Sequence, residues 1–197
     1  MEYIDINLRI REHKSDKCVL RDMLFDIYQM PPNPKVVVDV GGHCGAFAYF
    51  AVQKGAEVFS YEPEASNYEM LSYNSKGRNI HAFNLGVGHP GERKLYIAFD
   101  NTGGNSVFLR KGQDIENFQT IKVISIHDVF KDIEHCDLLK MDCEGAEDEI
   151  IEDFDDELAG KIDQISMEYH RHLEATDKLK NWYKLVLKRG HLLIFKK

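Results

Sequence analysis

The chain is poor in the residues that build linkers, tails and disulfide scaffolds. Only five of its 197 residues are proline, and no Pro-, Gln- or Ser-rich tract interrupts it, which excludes a low-complexity chain. No internal repeat stands out. No uncharged apolar run approaches the roughly 18 residues of a membrane helix. The opening MEYIDINLRIREHK lacks the apolar core of a signal peptide, so the expected location is cytoplasmic. Cys18, Cys44, Cys136 and Cys143 form neither a CxxC pair nor a zinc-ligand spacing and read as reduced thiols. A basic excess is missing too. The formal net charge of −8 disfavours a duplex nucleic-acid footprint, which calls for a basic face.

What is present is ordinary globular material, 43% hydrophobic and 29% charged, in a length that suits one sizeable core. The stretch VVVDVGGHCG, at 36–45, organises it. Val36, Val37, Val38 and Val40 show no polar alternation and suit a strand covered on both faces, as in a parallel sheet. Asp39 falls near its carboxyl end. Gly41, Gly42 and Gly45 strip β-carbons from the turn, so a ligand can lie against the backbone and the next helix can pack closely. A nucleotide-like cofactor fits such a turn. Glu62, followed by Pro63, ends the next strand 23 residues beyond Asp39, close to the roughly 20 expected of an acid that takes a ribose hydroxyl pair.

The remaining elements follow from periodicity. Ile4, Ile6, Leu8 and Ile10 alternate as in a half-buried strand, and Ser15 would cap a helix running to Met30. Residues 1–34 are thus expected to form a strand and helix bracing a main domain at 35–197. Within it, helices are expected at 46–54, 63–76 and 126–133, and strands at 57–61, 80–85, 94–99, 120–125, 164–169 and 191–195. The turn GVGHPG at 86–91 would be a further strand end on the ligand side. The loop 100–108 reads either as a substrate-side lid or as a hairpin connection. Leu179, Trp182, Tyr183, Val186 and Leu187 recur at helical spacing, with Lys180, Lys184 and Lys188 opposite.

Two strands carry candidate chemistry. In DLLKMDCEGAE, from residue 137, alternation puts Lys140 and Asp142 on one face. A lysine in an apolar strand needs a partner, which Asp142 or Glu144 could supply. The following Glu147 and Asp148 suit the first turn of a helix. In ISMEYH, Ser166, Glu168 and His170 share a face, and an acid beside a histidine can serve as base and orienter or as metal ligands.

DVGGHCGAF after VVV, YEPEA at the second strand, NLGVG at the third, GGNSVF in the insertion and DLLKMDCEGAE together resemble the FkbM-type S-adenosylmethionine-dependent methyltransferases, over roughly residues 36–170. The resemblance implies a class I methyltransferase fold, an α/β Rossmann-like, mostly parallel sheet with helices on both faces. It also implies methyl transfer to a hydroxyl of a small-molecule, sugar or lipid acceptor. Asp39, Gly41 and Gly45 would then shape the methionine pocket, Glu62 would hold the ribose hydroxyls, Gly86 and Val87 would lie near the adenine, and Gly42, His43 and Pro63 would also bind the cofactor. Asp142 would face the transferable methyl. The family's loop usually has asparagine where His43 stands.

The residues agree on the cofactor class. The loop spacing is G-G-x-x-G, not the GxGxxG that admits a pyrophosphate, and no GxxxxGK[ST] loop is present. Asp142, with Lys140, Glu168 and His170, would act either as general base or as holder of a divalent ion such as magnesium. Two other readings fit parts of the sequence. An RNA methyltransferase would use the basic segment from Lys178 through Lys180, Lys184, Lys188 and Arg189 to Lys196 and Lys197. A noncatalytic binding module would keep the fold alone.

Overall fold

A computed structural model describes residues 7–12, 14–24, 26–98, 104–109 and 114–197. The four valines of β1 (Val36–Val40) suit its place as an interior strand of the sheet. It pairs in parallel with β2 (Glu57–Tyr61) on one side and β7 (Leu138–Met141) on the other. Beyond β2 lies β3 (Ile80–Phe83), and beyond β7 lies β8 (Gln164–Glu168), both parallel. The hairpin of β9 (Lys184–Arg189) and β10 (Leu192–Lys196) completes the sheet, with β10 antiparallel to β8 and placed inside β9. The order is therefore β3-β2-β1-β7-β8-β10-β9.

Helices cover both faces because alternate strand residues are apolar on both sides. Val37, Val58 and Leu138 pack against α2 (Ala46–Gln53) and α3 (Ala65–Ser75) through Phe47, Ala48 and Leu71. Val38, Leu139, Met141, Ile165 and Phe195 pack on the other face against α4 (Ile126–Val129), α5 (Glu147–Glu152) and α6 (Asp156–Lys161). A second, three-stranded sheet grows from the connection after β3. It consists of β4 (Gly86–Val87), β6 (Phe118–Ile124) and β5 (Gly91–Tyr96), in that order, and its apolar face carries Leu95, Ile121 and Val123.

Several expectations are corrected. Of the expected amino-terminal strand, Ile4 and Ile6 lie outside the described residues, and 7–10 run without strand pairing. Their backbone bonds go to side chains: the Asn7 amide donates to Tyr49 Oη and the Arg9 amide to Asn74 Oδ1. Ser15 lies inside the first turn of α1 (Lys14–Leu24) and is not its cap. That helix stops at Leu24, short of Met30. Asp26, with φ 46°, offers its carboxylate to the Met30 amide at 3.0 Å, a side-chain alternative to continuing the helix. The helical stripe expected around Leu179–Leu187 is divided between a 3-10 helix (Leu173–Asn181) and β9. Val186 sits at the register shift of the β9–β10 pairing and is exposed. Counting it as core turned an alternating strand into an apparent helix.

Candidate functional site

The glycine loop after β1 is shaped from below and from the side. Gly41 has φ 86°, and a β-carbon there would lie 1.8 Å from the Asp142 carbonyl oxygen; only glycine fits. Asp39 and Lys140 are opposite in the β1–β7 register, so the buried ammonium of Lys140 reaches Asp39 Oδ1 at 3.0 Å and donates to the Gly41 carbonyl at 2.6 Å. Asp39 Oδ2 accepts the Ser60 hydroxyl at 2.7 Å. The partner of Lys140 is thus Asp39, not Asp142 or Glu144 as expected, because the neighbouring strand places a carboxylate level with it. Burial alone would lower the Lys140 ammonium, and Asp39 with Asp142 more than offsets this.

Glu62 is buried at the end of β2. Its two carboxylate oxygens accept the His43 amide at 2.8 Å and the Glu64 amide at 2.9 Å. Burial nonetheless raises its pKa to about 7. His43 takes φ 49°, a conformation that histidine and asparagine tolerate better than most residues. Its Nε2 lies 3.8 Å from Asp16 Oδ1 of α1, and burial lowers its pKa to about 4. Asp16 is in turn clasped by Arg11.

These groups border a cavity with about 770 Å³ of empty space, its open mouth included. Gly41, His43, Glu62, Pro63, Gly86, Val87 and Asp142 line it; Leu95, Ile121 and Val123 of the second sheet form an apolar wall. Asp39, Gly42 and Gly45 do not line it. They stand behind the loop, Asp39 on Lys140 and the two glycines against Ser60 and Leu71. The loop over the mouth is anchored by Ser106, whose Oγ donates to the Glu144 carbonyl at 2.6 Å, while Asn105 and Val107 face the cavity. Residues 100–103 of that loop lie outside the described residues.

Asp142, Glu168 and His170 come together, with one donor atom of each within 4.8 Å of the others. His170 Nδ1 contacts Glu147 Oε1 at 3.1 Å, and its Nε2 lies 3.6 Å from Glu144 and 3.9 Å from Asp142. Burial opposes the charged imidazole, but the bond to Glu147 and the surrounding carboxylates win and raise its pKa to about 9. Glu168 is pushed upward by burial and by Asp142. One imidazole and two carboxylates offer a mixed nitrogen and oxygen donor set, not the all-oxygen, near-octahedral shell that magnesium prefers.

Sequence reasoning missed two residues here. Glu147 is more than a first-turn acid: it is buried, accepts the Cys143 and Gly145 amides at 2.9 Å each, and holds His170. Tyr28, counted only as part of a helix stripe, donates its phenol to Asp142 Oδ2 at 2.9 Å. Three of the seven basic residues of the carboxyl-terminal segment are engaged locally: Lys180 pairs with Asp177, Lys197 with Asp163, and Lys178 donates to the Glu152 carbonyl.

A parallel sheet in this order, closed by an antiparallel strand and carrying a glycine loop and an acid at successive strand ends, is the class I methyltransferase fold. Residues 39–193 match the methyltransferase FkbM domain, and the chain belongs to that family. Methyltransferase sdnD of Sordaria araneosa is 25% identical over 177 residues, covering 72% of this chain and 68% of that protein. The crystal structure of methyltransferase FkbM from Methylobacillus flagellatus KT is similar at TM-score 0.54 and 21% identity, over 84% of this chain. The chain spans only 44% of that relative's length. The T. thermophilus 16S rRNA N2 G1207 methyltransferase, in complex with AdoMet and guanosine, is similar in fold at TM-score 0.50 and 12% identity, over 98% of this chain and 45% of that one.

The chain is therefore a methyltransferase, and the family's methyl donor is S-adenosylmethionine. The cavity suits that molecule: one buried carboxylate fits a vicinal diol, and an apolar slot beyond it fits a purine. No described helix is long and apolar enough to cross a membrane.

Proposed function

We propose that the protein methylates a hydroxyl oxygen of a small-molecule, sugar or lipid acceptor. The supporting observation is Asp142, a carboxylate at the cavity wall with an imidazolium beside it. Bound S-adenosylmethionine supplies an electrophilic methyl on a sulfonium. Glu62 accepts hydrogen bonds from the ribose hydroxyls through the lone pairs its two amide donors leave over. Gly41 and His43 border the methionine end, and Pro63, Gly86 and Val87 the adenine end. Lys140, tied to Asp39 and the Gly41 carbonyl, keeps the glycine loop in place. Asp142 accepts the acceptor's proton as the hydroxyl attacks. His170, charged at neutral pH, faces Asp142 Oδ1 at 3.9 Å, and Glu168, with its raised pKa, stands beside it. The second sheet and the Asn105–Val107 loop exclude water.

Calorimetric titration tests the cofactor half: S-adenosylmethionine binds and NAD does not, and Glu62→Ala weakens binding by at least about tenfold. For the chemistry, Asp142→Asn lowers methyl transfer across a panel of hydroxyl acceptors by about 10²-fold or more. Activity that survives both Asp142→Asn and His170→Ala rejects the assignment.

A further inference from the structure

We propose that Tyr28 is a positioning residue for Asp142, holding Oδ2 so that Oδ1 is the oxygen left for the acceptor's proton. The inference rests on Asp142 being the base. Tyr28 reaches the site from the segment after α1, 114 residues away in the chain. It is 3% exposed, and its ring meets Phe47 edge-on at 5.6 Å.

The backbone that carries it is fixed from two directions. Its carbonyl accepts the Ser166 hydroxyl at 2.7 Å and the Gln164 amide at 3.3 Å, and Gln164 also donates to the Gln29 carbonyl at 2.9 Å. Asp26 and Gln29, both at positive φ, bend the chain on either side. From this held backbone the phenol points at Asp142. Burial and the nearby carboxylates raise the phenol well above its usual pKa, so it stays protonated and always donates.

The charged or titratable groups around Asp142 come from several elements: Lys140 on β7, Cys143 and Glu144 on the loop after it, Glu168 at the end of β8, His170 just beyond it, and His43, neutral at pH 7, on the glycine loop. Lys140 is committed to Asp39, and His170 Nε2 stands 3.9 Å from Oδ1. The hydroxyl of Tyr28 is therefore the near, directional donor, and it engages the oxygen that His170 does not face. A donor to the charged form of a carboxylate lowers its pKa and fixes its plane.

The test is Tyr28→Phe, which keeps the ring against Phe47 and removes only the hydroxyl. Carbon-13 carboxyl titration, with Asp142→Asn to assign the resonance, reads the Asp142 midpoint without any acceptor. It should rise by about one pH unit. The acid limb of single-turnover methyl transfer, measured with the best acceptor of the panel, should move the same way. S-adenosylmethionine affinity should stay within about twofold. Ser166→Ala, which removes the shorter of the two bonds to the Tyr28 carbonyl, should give a smaller shift of the same sign and carries the test if Tyr28→Phe does not fold. An unmoved midpoint and acid limb in a folded variant overturn the proposal. Full activity in Asp142→Asn overturns the base reading and the proposal with it. An inactive Asp142→Asn beside an unshifted Tyr28→Phe rejects the positioning role alone.

Discussion

His43 carries a pH dependence that belongs to one side chain. Its burial, only partly offset by Asp16, lowers its pKa to about 4 from the usual 6.5. The unfolded chain therefore takes up a proton at this position before the folded one does. Stability is fully present above pH 6.5 and is lost as pH falls toward 4, by about 3 kcal/mol at the low end. His43→Asn keeps the positive φ and has nothing to protonate, so its thermal midpoint should fall less steeply between pH 7 and pH 4.5. Parallel slopes for the two proteins reject the assignment. The loop geometry was legible from glycine spacing, and so was the place of Glu62 at the next strand end, because both are local in sequence. The environment of His43 was not, since Asp16 and Arg11 arrive from a segment whose pattern shows no strand or cap that pairs them. Glu147 was hidden differently: a first-turn acid explains itself by the helix dipole, and only the fold reveals that it is buried.

The same distinction runs through the elements. β1 and β7 were legible because buried parallel strands read as apolar runs, here each broken by a single charged residue, and β8 because Ile165 and Met167 alternate with polar residues. β9 was misread because one exposed valine at a register shift mimics helical periodicity. Lys140 required a partner on any reading, yet strand alternation within β7 pointed to Asp142. The true partner sits on β1, a register that no single-strand pattern contains. This pairing makes a quantitative prediction. Lys140→Met leaves Asp39 buried and short of its cation, costing about 3–5 kcal/mol. Asp39→Asn with Lys140→Met removes both charges and should recover a large part of that loss. Urea denaturation of the two single variants and the double variant measures the coupling; purely additive losses would mean that the two strands are not joined through these charges.

At the scale of the whole molecule, a segment that meets the cofactor cavity through α1 is held to the domain by polar bonds. Residues 7–12 and the first turns of α1 cross α2 and α3 on polar bonds. Asn74 and Arg9 exchange two of them at 2.8 and 2.9 Å, Arg78 holds the Asn7 carbonyl, and Arg11 spans Ser66, Asn67 and Asp16. Val19 of α1 completes the cavity wall. Half-exposed hydrogen bonds open more cheaply than a packed core, so this segment is expected to exchange its amides faster than β7 or β8. Binding of S-adenosylmethionine should slow exchange most at residues 7–19. Arg11 is the clasp. Burial would raise the Asp16 carboxyl, and the bonds from Arg11 hold it below its usual value instead. Removing that guanidinium in Arg11→Ala leaves a buried carboxylate to pull the first turn of α1 toward water. Stopped-flow measurement should then show S-adenosylmethionine leaving about tenfold faster, with its association rate within about threefold. An unchanged dissociation rate would make the segment passive packing and leave retention of the cofactor to the loop at Asn105–Val107.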